Sequence, residues 1–429
     1  MILTGRAALV AVLGAVVVLL FGTGLALLAA DAVLLALIAI DVMLAASPRR
    51  VAVTRSGDSK MRLGQAGTIM LSIENSGRRR LKAQVRDGWR PSACATPARS
   101  EVTLPAGRGV TLTTTLTPSR RGDIAGGAVT VRSVGPLGLA GRQRNLTAPW
   151  TVRVLPPFLS RKHLPARLAR LRELDGQHRS LIRGQGTEFD SLRTYVLGDD
   201  VRSIDWRSSA RRADVLIRTW RPERDRRIVI VLDTGRSSAG RIGGITRLDA
   251  SMDAALLLAA LAVRAGDRTD LIAVDRRVRA RVTGKGRNEV LAAITSEMAL
   301  LEPELTDPDL TLIAATVLGL ARQRCLVVLM TDLNPASITQ GLSQLRSLSA
   351  RHHLLIASVA DTRTDEMAAD RGSTAAVYNA AAALRARAAR AQVSALLRRY
   401  DIDVVDATPD ELPPALADAY LSLKAAGRL

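Results

Sequence analysis

The chain has 429 residues, 47% apolar but only 3% aromatic, and carries a formal net charge of +21. That length suits two or three domains, with cores built from Ala, Leu, Val and Ile. The charge raises nucleic acid as a partner. However, basic residues interleave with acids and few aromatics are available to stack bases, so an anionic membrane face or an acidic protein partner fits better. The two cysteines, Cys94 and Cys325, fall in neither a CxxC nor a Cys/His spacing, so no disulfide framework or zinc site is implied.

Residues 7–46 are almost all apolar. One membrane span takes about 20 residues, so this run predicts two, with residues 1–48 forming a hairpin that turns at Gly22-Thr23-Gly24. Arg6 precedes the first span, Arg49, Arg50 and Arg55 follow the second, and the turn is uncharged. The positive-inside bias then places both ends and all soluble domains in the cytoplasm of a multi-pass protein of the cell membrane. A cleaved signal peptide ending at LLAADA is the rival reading, but the apolar run continues directly into AVLLALIAIDVML. Asp31 and Asp41 lie within the second stretch, and an intramembrane acid is a candidate functional residue. The plainer reading puts Asp31 near the turn and Asp41 near the cytoplasmic interface.

Residues 49–157 carry short β-patterned runs (VAVTR, TIMLSIEN, KAQVRD, VTLTTTLT, AVTVRSVG, WTVRVL) separated by Gly, Pro, Ser and Asn. This pattern predicts an antiparallel β-sandwich of immunoglobulin-like type, acting as a spacer or docking module. Residues 158–225 read as a connector. Its first part, 160–183, is basic and helix-prone, with His163 and His178 solvated, and presents a wet face or lies along an anionic leaflet. Residues 226–429 alternate continuous apolar strands with helices predicted at 247–264, 287–301, 310–322, 337–350, 375–400 and 411–425. Such alternation predicts a doubly wound, Rossmann-type α/β domain with a parallel sheet covered on both faces. Its ligands are expected beyond the carboxyl ends of the strands.

Two acids close strands at that end, Asp233 and Asp332. The run from Asp233 to Ser237 resembles the metal-ion-dependent adhesion motif of von Willebrand A domains, in which an acid is followed by hydroxyls two and four residues on. Asp233, Ser237 and Asp332 are therefore candidate ligands for magnesium, which takes hard oxygen donors. Gly235 stands where the first hydroxyl belongs, Thr306 and Thr311 are the candidates for the threonine of a later loop, and Arg236 adds a positive charge. The alternative is a vestigial site, with Asp233 hydrogen-bonded at the strand end and Arg236 standing in for the cation.

The densest signal is residues 184–221, GQGTEFDSLRTYVLGDDVRSIDWRSSARRADVLIRTWR. It lacks the third glycine and the GK[ST] of a phosphate loop. Tyr195, Asp199, Asp200 and Asp205 could serve a hydrolase as acid and base, but no Ser/His or Cys/His pair accompanies them. A structural reading pairs Glu188, Asp199, Asp200 and Asp205 with Arg193, Arg202, Arg211 and Arg218, turns the chain at Gly198 and packs Trp206 and Trp220 onto the α/β core. A charged platform of this kind also suits docking of a partner.

These residues carry a resemblance. Gly184, Gly186, Glu188 and Phe189, the run Leu192–Arg193–Thr194–Tyr195, Gly198-Asp199-Asp200, the run from Arg202 through Asp205 to Trp206, Ser209-Ala210-Arg211, and Val231 to Gly235 resemble the family called domain of unknown function fifty-eight. The resemblance implies a membrane-anchored protein with a von Willebrand A-like domain, commonly encoded beside AAA+ ATPases of the MoxR type. It implies a partner rather than a reaction, so a non-enzymatic adaptor that binds a MoxR-type ATPase is the leading expectation. A magnesium-dependent protein-ligand binding domain is the first alternative, and a hydrolase using Asp199 to Asp205 the second.

Overall fold

The computed structural model describes the whole chain except residues 182–187, 198, 212–213 and 222–225, and for 175–181, 188–190 and 219–221 it describes the backbone alone. The chain divides into two compact units, Met1–Pro157 and Phe158–Leu429.

The first unit begins with strand β1 (Ile2–Leu3), helix α1 (Gly5–Phe21) and helix α2 (Gly24–Leu44). Ten strands follow: β2 (Val51–Gly57), β3 (Lys60–Arg62), β4 (Gly67–Asn75), β5 (Leu81–Arg86), β6 (Ser100–Leu104), β7 (Gly109–Leu116), β8 (Gly122–Ala125), β9 (Val129–Val134), β10 (Ala140–Leu146) and β11 (Thr151–Leu155). They form sheets ordered β1-β10-β9-β5-β6, β2-β4-β7 and β3-β11-β8. All pairings are antiparallel except β3 with β11. Alternate residues of β4 and β5 turn inward, so Leu71 and Ile73 meet Leu81, Val85, Val102 and Val131 in one core. Alternation explains why these strands were legible, and its absence from AGRQRNL explains why β10 was not.

Gly22, in the left-handed region at φ 61°, closes α1, and Thr23 caps α2 by accepting from the Ala26 amide at 3.2 Å. Among the described residues, α2 lies in the one apolar stretch long enough to cross a membrane, and the 17-residue α1 is shorter. Asp41, in the last turn of α2, is fully buried. Its Oδ1 accepts from the Leu137 amide, and its Oδ2 from the Leu139 and Ala140 amides, all at 2.8 Å. Gly135 is required here, because a Cβ would collide with the Asp41 carboxylate and carbonyl. Thr4 donates to the Gly138 carbonyl at 2.5 Å, and Arg142 Nε to the Val42 carbonyl at 3.0 Å. Arg55, read from sequence as a flanking charge, is instead buried on Asp87 at 2.6 Å and also donates to the Gly127 carbonyl.

The second unit opens with helix α3 (Leu164–Leu181), strand β12 (Glu188–Thr194), the short helix α4 (Trp206–Ser209) and strand β13 (Leu216–Arg221). Next come β14 (Arg227–Asp233), β15 (Arg241–Ile242), β16 (Ile245–Thr246), α5 (Arg247–Arg264), β17 (Arg268–Val274), β18 (Val278–Val282), α6 (Arg287–Met298) and α7 (Leu310–Leu320). The unit ends with β19 (Leu326–Met330), α8 (Pro335–Gln340), α9 (Leu342–Arg351), β20 (His353–Val359), α10 (Thr362–Ala369), α11 (Thr374–Arg398), β21 (Asp403–Ala407) and α12 (Leu412–Ala425). The sheet order is β18-β17-β14-β19-β20-β21, parallel except for β18. Separate apolar clusters cover its two faces, as its continuous apolar strands predict.

Two features of this unit depart from the sequence reading. The helix expected at 337–350 is two helices, α8 and α9, broken at Gly341, where a Cβ would overlap the Leu310 side chain. The start of the supposed connector also belongs to the α/β unit. Leu164, Leu168, Leu171 and Leu174 of α3 pack against the core, and Arg167 binds Asp418 at 2.9 Å. The three- and four-residue leucine spacing had marked one buried face, obscured by the intervening arginines.

Candidate functional site

Two places in the second unit hold the residues singled out by sequence. The first is the loop joining β12 to β13, which pair antiparallel from Glu188 opposite Arg221 to Thr194 opposite Leu216, with an irregularity between Phe189 and Ser191. Glu188 and Phe189 lie on β12, and nothing of their side chains is described; Gly186 and Gly198 lie outside the described residues. The Tyr195 amide donates to the Val215 carbonyl at 2.8 Å, extending the pairing.

Asp199, Asp200 and Asp205 of this loop each hold backbone in place. Asp199 binds Arg193 at 2.6 Å and accepts from the Val196 amide at 3.0 Å. Arg193, first, and then that amide hold its carboxyl below the usual carboxylate range. Asp200 caps the turn Val201–Ser203 by accepting from the Arg202 amide at 3.0 Å. Asp205 caps α4 through the Ser208 amide at 3.0 Å and binds Arg218 at 2.9 Å. The amide, and then Arg218, lower its pKa. Ser209 completes the closure, donating to the Asp205 carbonyl and accepting from the Leu216 amide, both at 2.8 Å.

Of the expected ion-pair lattice, two pairs form among the described residues. Asp200 serves the backbone, and the exposed Arg202 and Arg211 have no acidic partner among the described residues. Trp206 does not pack on the core: it is 68% exposed, and Leu197 is 96% exposed. Sequence reasoning placed the tryptophan inside because large aromatics usually bury. Here it opens the one-turn helix α4, directly after the capping Asp205.

The second place is the carboxyl end of the parallel sheet, where β14 and β19 adjoin and the strand order reverses. This is the position where doubly wound sheets bind ligands. Asp233 closes β14 and is 1% exposed. It accepts from the Gly235 amide at 2.7 Å, Thr331 Oγ1 at 2.6 Å and Ser237 Oγ at 3.3 Å. Burial pushes its carboxyl above the ordinary range despite these donors.

Asp332, just past β19, accepts at Oδ1 from Arg390 at 2.6 Å and pairs through Oδ2 with Arg247 at 3.2 Å. Arg390 also reaches Asp406 at 2.6 Å and Ser358 Oγ at 2.8 Å, bridging the ends of β19, β20 and β21.

This donor set does not fit magnesium. Both oxygens of each candidate acid are engaged, and two guanidinium groups occupy the flank where a cation's charge would stand. A Cβ at Gly235 would come within 2.8 Å of the Thr306 carbonyl and 2.9 Å of Asp233 Oδ1, so the position has no room for the first hydroxyl. Thr311 lies in the first turn of α7, capped by Asp309. Thr306 Oγ1 is enclosed without a partner among the described residues, but it is a single donor. Arg236, the expected stand-in for the metal, instead pairs with exposed Asp307 at 3.0 Å. Arg247 and Arg390 hold that place and were missed, because one arginine in the run ALRARAAR carries no distinguishing signal.

The family profile described as protein of unknown function DUF58 matches residues 191–413, more than half of the chain. The chain belongs to this family. The DUF58 match begins within β12 and ends in the first turn of α12, so it takes in both the loop and the strand ends. Uncharacterized proteins of Mycobacterium tuberculosis and Mycobacterium bovis are 27% identical to the chain over 198 residues, 45% of it. The chain spans 61% of the length of these curated relatives.

Among solved structures, a CARDB domain of a Pyrococcus furiosus protein is 16% identical, covering 24% of this chain and 91% of that one at a TM-score of 0.19. A PKD domain of an M14-like peptidase from a Thermoplasmatales archaeon is 12% identical, covering 23% and 92% at a TM-score of 0.14. These scores are too low to carry an assignment.

Proposed function

We propose that the chain is a non-enzymatic, membrane-anchored adaptor that presents the loop between β12 and β13 to a cytoplasmic protein partner, a MoxR-type AAA+ ATPase. The observation that carries this reading is the combination of exposed apolar groups, Trp206 and Leu197, with a loop pinned by Asp199 and Asp205. A pre-ordered apolar surface lowers the entropic cost of association, and tryptophan and arginine are the residues most often found at binding hot spots.

The same contacts argue against a hydrolase, because Asp199, Asp200 and Asp205 are each spent on holding the loop. The donor set at Asp233, Ser237 and Asp332 argues against a magnesium-dependent ligand site. The order β18-β17-β14-β19-β20-β21 with one antiparallel edge supports reading the second unit as von Willebrand A-like. In this proposal α1 and α2 both cross the membrane, their outer ends and both units face the cytoplasm, and the immunoglobulin-like β unit is a spacer.

The test is affinity purification of the tagged full chain from native membranes, with Trp206→Ala and Leu197→Ser as comparisons. Recovery of the ATPase with the wild type and its loss with either variant is the expected result. Equal recovery with all three, or no ATPase from any, overturns the reading. A carboxyl-terminal reporter active only outside the cell overturns the topology.

A further inference from the structure

The opposite end of the parallel sheet holds a second arrangement, independent of the adaptor reading. Arg227 begins β14 and Arg268 begins β17, and the two are paired neighbours in register. On the other side of β14, the chain leaves α7 at Leu320 and passes through Arg322 and Arg324 before entering β19, whose Leu326 lies opposite Ile228. All four arginines line a cavity of about 310 Å³, with Gly319 and Leu320 forming a wall that carries no charge.

Arg227 is fixed at this cavity, with Nε 2.5 Å from the fully buried Asp270 and Nη1 donating to the Leu320 carbonyl at 2.8 Å. That contact accounts for one charge. The other three arginines are exposed, and their guanidinium groups have no acid and no hydrogen-bond acceptor among the described residues. Among the described residues, four like charges face this concavity with one carboxylate to offset them, and they repel one another. A bound anion removes that cost. Guanidinium groups match a phosphoryl group by forked, charge-assisted hydrogen bonds, and the volume lies at the lower end of small-ligand sites.

We propose that this cavity binds a phosphomonoester or diphosphate group, carried by a small soluble molecule or by a lipid headgroup, on Arg227, Arg268, Arg322 and Arg324. The uncharged wall at Gly319 and Leu320 leaves room for the moiety bearing the phosphate.

The test uses the full chain in non-ionic detergent, titrated calorimetrically with pyrophosphate and, separately, with short-chain phosphatidic acid. Saturable binding of either supports the site, and the tighter of the two identifies the source. Among the described residues these exposed arginines make no side-chain hydrogen bond or ion pair, so Arg268→Gln and Arg324→Gln are the informative variants. Each is expected to weaken binding about tenfold, the loss of one charge-assisted hydrogen bond. The control Arg385→Gln/Arg398→Gln, on α11, leaves binding unchanged. Binding of neither probe overturns the proposal. So does equal weakening by the α11 control, which would mean attraction to overall charge.

Discussion

Replacing Asp41 with Ala tests how the apolar helices are held to the β unit. The carboxylate sits in the last turn of α2, where the helix dipole disfavours an acid by about 0.3–1 kcal/mol. Three amides at 2.8 Å more than offset this. Truncation removes all three acceptor contacts and strands the Leu139 and Ala140 amides in a buried place. Hydrogen bonds to a charged acceptor contribute about 1.5–3 kcal/mol each, and stranded donors cost about 1–3 kcal/mol.

These terms overlap, and water entering the vacated space recovers part of the loss, so a net destabilisation of about 3 kcal/mol is expected from the same range. For a unit of this size that lowers the melting temperature by about 6–12 °C. The assay is thermal unfolding of the full chain in detergent, with hydrogen exchange at amides 137, 139 and 140. Exchange there should accelerate about 100-fold, the equivalent of that free energy. Unchanged exchange at those three amides would refute the claim that Asp41 joins helix to sheet, whatever the melting temperature does.

Three further outcomes are expected. Asp205 has a depressed pKa, so its contribution is present at neutral pH and is lost as pH falls below the ordinary value of 3.8 towards its lower folded value. Protease cleavage between residues 195 and 215 should therefore rise on acidification, and Asp205→Ala should show the same rise at pH 7. Gly235→Ser forces a Cβ to within 3 Å of the Thr306 carbonyl and Asp233, so it should destabilise the second unit by about 1–3 kcal/mol. Added magnesium should not restore the melting temperature, and a magnesium-dependent recovery would reinstate the metal reading. Arg390→Ala leaves Asp332 and Asp406 without their shared partner and should cost about 2 kcal/mol in denaturant unfolding, allowing for partial exposure.

Residues 228–233 and 326–330 could be read as buried parallel strands because each is apolar throughout, and α5 matches its expected limits of 247 and 264. Local pattern was enough for those elements, and Asp233 and Asp332 were found as acids ending strands. Contacts between segments distant in sequence were hidden. No sequence rule joins Arg390 to Asp332, 58 residues away, or Asp41 to amides nearly 100 residues on. Trp206 shows the reverse failure, where the general tendency of large aromatics to bury does not hold at the first residue of α4.

The bonds at Asp41 also limit how motion can pass along α2. A helix advances 1.5 Å and turns about 100° per residue, so a slide or swivel by a single step would carry the carboxylate away from all three amides. A one-residue slide or turn of that helix against the β unit therefore requires these bonds to break first. While the bonds hold, the end of α2 and the turn at 137–140 move as one piece.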